Sequence, residues 1–93
     1  MPYISAYKRV LFDKQVTALG LALLKDRGAG NLNYVITSLL VDYLDTPKSG
    51  YENFNEVLGV LEAVKLELYR RMIAPFEDKK KETNGDCFYG FYV

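Results

Sequence analysis

The longest run of helical periodicity in the chain, SGYENFNEVLGVLEAVKLELYRRMIA at positions 49–74, constrains the fold more than any other feature. Ser49 and Glu52 have the spacing of a capping box, in which a hydroxyl and a carboxylate each satisfy an otherwise unpaired amide. At about 100° per residue, Phe54, Val57, Leu58, Leu61, Val64, Leu68 and Met72 fall on one apolar stripe, with Glu56, Gly59, Glu67 and Arg70 opposite. A helix from Gly50 to Ala74 would be about 37 Å long, whereas a domain of this size is about 30 Å across. One end must overhang, or a second subunit must cover it.

Lys65 interrupts the stripe, with Tyr69 and Glu62 on its rim. A lysine in this position can lay its methylene stem over apolar surface and pair its amine with Glu62, a structural role. The alternative is that it holds a phosphate while Tyr69 stacks on a base or ribose, a binding role. The residue chemistry therefore nominates Lys65, Tyr69, Arg70, Tyr34 and Glu62 as contacts for a nucleotide-like ligand.

The 93 residues suffice for one domain with a modest core, expected to span 1–93 with 86–93 as a docking tail. Twelve basic and twelve acidic side chains cancel, which removes the field of a general nucleic-acid binder and suits a surface that self-associates. Histidine is absent, so Ser-His and Cys-His nucleophile pairs and imidazole metal sites are excluded. The single cysteine, Cys87, permits no internal disulfide, and its acidic and aromatic neighbours do not stabilise a thiolate. With no basic leader and no apolar run near 20 residues, the expected location is the cytoplasm, of a bacterial host cell if the chain is phage-encoded. No cofactor is indicated.

Before the long segment, Ile4 and Ser5 read as a staple and cap for a first turn, and Asp13 as a second cap opening a helix that ends at Gly28. Gly20 inside that helix costs about 1 kcal/mol relative to alanine, which points either to close approach by a neighbouring helix or to simple tolerance. Residues 29–31 read as a tight loop and Asn31 as the cap of a third helix, with Leu32, Val35, Ile36, Leu39, Leu40 and Tyr43 on its inner face. After the long helix, Pro75 lacks the amide that would bond to Arg71, so the helix must kink or restart. Lys79, Lys80 and Lys81 read as a solvated face, and Asn84 and Gly85 as a stop.

The tail DCFYGFYV packs Phe88, Tyr89, Phe91 and Tyr92 into eight residues. It either folds back as an extended arm over the helices or docks on another subunit or a target protein. For catalysis, Glu52 and Glu56, four apart, could share a hard cation such as magnesium, although capping already accounts for Glu52 and Glu56 lies on the polar side; a metal-dependent enzyme would work through Glu52, Glu56 and Glu62. The ExxE and ExxD pairs of MazG-type nucleotide pyrophosphatases do not occur.

The blocks PYIS at 2–5, NLNYVIT at 31–37, LEAVKLELYRRMIAPFED at 61–78 and NGD at 84–86 resemble a family of short uncharacterised proteins of tailed bacteriophages and bacteria. The Glu62, Lys65, Tyr69, Arg70, Pro75 block is the most specific part, and the aromatic tail stands outside the pattern. The resemblance implies a phage or prophage context and carries no mechanism with it.

The expectation is an all-α compact bundle of three or four helices, with one long central helix and an extended aromatic C-terminal tail. The expected function is that of a non-enzymatic, phage-type accessory protein that forms a homodimer or higher oligomer and binds a host protein or sequesters a small nucleotide-like ligand. Two alternatives stand beside it: a metal-dependent enzyme acting on nucleotides, and a purely structural oligomeric subunit.

Overall fold

The structure, a computed structural model, describes residues 1–88 and Gly90. Among them it is helical throughout, with no strand: α1 (Ala6–Lys25), α2 (Ala29–Leu44), and a 34-residue helical run made of α3 (Tyr51–Leu68), a π-helical turn (Tyr69–Ile73) and α4 (Ala74–Asn84). The contacts group into two units, Met1–Gly59 and Val60–Val93.

In the first unit, α1 opens at Ser5 through its backbone rather than its hydroxyl. The extended Ser5 carbonyl accepts from the Lys8 and Arg9 amides, and the Arg9 Nε donates to the Ile4 carbonyl at 2.8 Å. Asp13 does not start a new helix, because no glycine or proline lies between Ala6 and Leu19 to stop α1, and the carboxylate stays on the helix surface. The three-residue turn after Lys25 is held by Asn31, whose Nδ2 donates to the Asp26 carbonyl at 2.8 Å. Residues 29–31 are therefore the first turn of α2, and Asn31 ties α2 back to the end of α1 instead of capping it. Gly28 lies between the helices in extended backbone and is not a left-handed cap.

The start of α3 is shifted by one residue from the expected box. Ser49 spends its hydroxyl on Thr46 Oγ1 at 3.0 Å, inside a turn that Pro47 favours. Gly50 becomes the cap: its carbonyl accepts from Phe54, and its amide donates to Asn53 Oδ1 at 3.2 Å. Asn53 thus takes the reciprocal role assigned to Glu52, which remains in the first turn where its charge suits the helix dipole.

In the second unit, Pro75 neither breaks nor ends the helix. The run widens instead over Tyr69–Ile73, where the Ala74 amide reaches back five residues to the Tyr69 carbonyl, and Pro75 then sits in the first turn of α4 where no amide is required. The helix stops at Gly85, whose φ of +94° disfavours any side chain and whose amide bonds the Lys81 carbonyl at 2.9 Å. Asp86 Oδ1 then accepts from the Phe88 amide at 2.9 Å, turning the chain.

Burial is sparse. Among the described residues only Val57 is buried, at 6% exposure, while thirty large apolar or aromatic side chains are exposed. In the first unit, Asn53 is half-buried and Val57 buried, one turn apart on α3, while Phe54 and Leu58, on the same apolar stripe as Val57, stay exposed. The first unit thus covers the Val57 edge of the stripe together with Asn53 beside it.

Candidate functional site

The nominated ligand residues divide between the units. Glu62, Lys65, Tyr69 and Arg70 belong to the second, and Tyr34 to the first. Glu62 and Lys65, three apart on α3, form a 3.4 Å ion pair in which the lysine is 73% exposed, so the pair is a surface one. Arg70 turns to Glu67: its Nε and Nη2 lie 2.8 and 2.6 Å from the same carboxylate oxygen, and Glu67 is the better covered partner. Lys65 and Arg70 therefore each already face a carboxylate. Tyr69 opens the π-helical turn and lines an open recess of 580 Å³ with Ile73, Lys80, Lys81 and Phe88. The widened turn rotates Arg70 and Met72 relative to a regular helix, an effect that counting residues at 100° each does not reproduce.

Tyr34 stands on the exposed side of α2, where it lines a 250 Å³ recess with Leu19, Leu23 and Val35. Of the aromatic tail, Phe88 is exposed beside Asp86. Tyr89, Phe91 and Tyr92, named with it as partner contacts, lie outside the described residues. The lysine run has local partners in Lys80, 5.5 Å from the Phe76 ring centre, and Lys81, 4.0 Å from Asp78.

The carboxylates proposed to share a cation do not gather. Among the described residues no three cysteine or carboxylate side chains are placed to hold a metal ion. Glu56 is engaged elsewhere: it accepts a hydrogen bond from the Tyr43 hydroxyl, joining α3 to α2 within the first unit. That bond and the carboxylate charge raise the Tyr43 pKa above its ordinary value, the hydrogen bond being the larger cause. The Tyr43–Glu56 tie is the polar contact that the sequence pattern missed. The sequence places Glu56 opposite the stripe, whereas the cover of α3 in the first unit falls on the stripe's Val57 edge and Asn53, the side nearer Glu56.

A concave surface of the first unit lies at the elbow of α1 and α2. It is an open groove of about 850 Å³ lined by Thr17, Gly20, Leu21, Leu24, Arg27 and Leu32, among others. Its walls are leucine and small residues with a single charge, chemistry for apolar packing and not for acid, base or nucleophile work.

These features define an all-helical protein of apolar, unconverged surfaces. Residues 1–87 match the model of the Domain of unknown function (DUF6899), and the chain belongs to that family. No curated protein and no solved structure matches it. No helix among the described residues is long and apolar enough to cross a membrane.

Proposed function

We propose that this protein is a non-enzymatic accessory factor whose working form is a homo-oligomer, a dimer or higher, with its helices completing one another's core. The observation that carries this reading is the disproportion, among the described residues, between one buried apolar side chain and thirty exposed ones. The balance of twelve basic and twelve acidic residues adds no long-range repulsion between copies.

The compact bundle and the phage-type context both belong to this proposal, the bundle as a property of the oligomer and the context through the resemblance of the 61–78 block. The paired state of Lys65 and Arg70 favours a protein partner over a phosphate-bearing ligand, since an incoming anion would have to displace a carboxylate from each. Native mass spectrometry of the protein purified from its host tests the reading. A homo-oligomer without added mass supports it, and a defined added mass moves the small nucleotide-like ligand ahead of a protein partner. A monomer at micromolar concentration overturns it.

A further inference from the structure

We infer that the groove along α4 and the π-helical turn is the docking site of this chain's own aromatic segment after Phe88, with Phe91 and Tyr92 laid back over Ile73. Groove and segment belong to the same unit, Val60–Val93, and the assignment does not rest on self-association.

Tyr69, Ile73, Glu77, Lys80 and Asn84 recur at intervals of four, four, three and four, the spacing of one helix face, and all five line the open 580 Å³ recess. The recess is therefore a groove running lengthwise, about 22 Å from Asn84 to Tyr69 at 1.5 Å per residue. Its two ends differ in chemistry. Glu77, Lys80 and Asn84 make the near end polar, whereas Ile73 and Tyr69 make the far end apolar and are 46% and 54% exposed. The apolar end is the part that lacks cover.

The occupant is identified by where the described chain heads. The helix stops at Gly85, whose φ of +94° takes the chain out of the helical path, and the bond from the Phe88 amide to Asp86 Oδ1 tightens the turn. Gly85, Asp86 and Phe88 line the same groove as Tyr69, so the chain leaves the helix along the groove. Its reach fits. Six extended residues from Asp86 to Tyr92 span about 20 Å, against about 16 Å along the helix from Asn84 back to Ile73. A bend at Gly90, where φ is +92°, takes up part of the difference. Arg70, next to Tyr69, and Phe88, beside the turn, each make an interaction besides their bonds to Glu67 and Asp86. Docking there removes apolar surface from water on both the segment and the groove. The segment is tethered beside the groove at an effective concentration of about millimolar, so the same segment of a second copy does not compete with it at micromolar protein.

The test uses the full chain. It has no tryptophan, so Phe91→Trp supplies a single reporter. The expected result is a blue-shifted emission whose quenching by acrylamide is reduced several-fold relative to free tryptophan and is unchanged by dilution, and a loss of that shielding when Ile73→Asp is added. A fully quenchable tryptophan overturns the docking, shielding that survives Ile73→Asp overturns the groove, and shielding lost on dilution assigns the segment to another copy and overturns its return to its own helix. Should circular dichroism show that Ile73→Asp unfolds the chain, Ile73→Cys with Tyr92→Cys in a Cys87→Ser background decides. Mild oxidation is expected to give a crosslink at the mass of one chain, and a crosslink at the mass of two chains, or none, overturns the assignment.

Discussion

Truncating two side chains of opposite exposure, Val57 and Leu24, separates the stability that the chain supplies to itself from that which a second copy supplies. Val57 is 6% exposed, and Val57→Ala removes two buried carbons, about 1.6 kcal/mol at 0.8 kcal/mol each, with a further contribution if the site does not collapse. Leu24 is 63% exposed. Full burial of a leucine is worth about 1.5–3 kcal/mol, so in the isolated chain Leu24→Ala can lose no more than about 1 kcal/mol. If association completes the core over Leu24, it is an interior residue, and Leu→Ala in an interior costs about 2–5 kcal/mol. The order of the two mutants therefore reverses: Leu24→Ala becomes the more damaging. Urea unfolding followed by circular dichroism at two protein concentrations a hundredfold apart reads both effects. For a chain that folds as it associates, the midpoint rises with concentration. A midpoint independent of concentration, together with a smaller loss for Leu24→Ala than for Val57→Ala, would refute the claim that association completes the core.

The Tyr43–Glu56 bond predicts a loss of stability at high pH. Tyr43 holds its proton more tightly folded than unfolded, so its contribution is fully present below the unfolded value near 10 and falls as pH rises through the raised folded value. Tyr43→Phe should flatten the fall between the natural protein's stability at pH 9 and at pH 11, and an unchanged alkaline slope would remove the bond from the account. Gly85→Ala should cost about 1–2 kcal/mol and speed amide exchange over Lys81 to Gly85, because φ is +94° and nothing within 4 Å offers a new contact. Lys65→Met should leave the melting temperature nearly unchanged, since exposed ion pairs contribute about 0–1 kcal/mol, and any ligand mass that disappears with it would mark the seam as a binding site.

The helices themselves were legible wherever one local signal acted without a competitor. The apolar period over 32–43 outweighed the strand preference of Val35, Ile36 and Thr37, and Gly85 ended α4 where the sequence placed the stop. Boundaries failed where two side chains competed for one partner. Ser49 was a credible cap until Thr46 took its hydroxyl, and Asn31 was another until the Asp26 carbonyl took its amide. Pro75 was read correctly as a disturbance, but the remedy, a single wide turn over Tyr69–Ile73, depends on how much strain the preceding turn absorbs, which residue identities do not state. At the candidate site the pairing of Lys65 with Glu62 was one of the two readings the sequence offered, and the structure has that pair on the surface and Arg70 against Glu67. Glu62 and Glu67, each three residues earlier on the same helix, were the signal that both were spoken for.

An amphipathic period reports that a face is to be covered and says nothing of which chain covers it. The stripe through Phe54, Leu58, Leu61 and Leu68 has the same spacing whether its partner is α2 or the helix of another copy, and the first unit covers α3 along Asn53 and Val57, beside the stripe's centre. Exposed leucines alone suit any apolar partner.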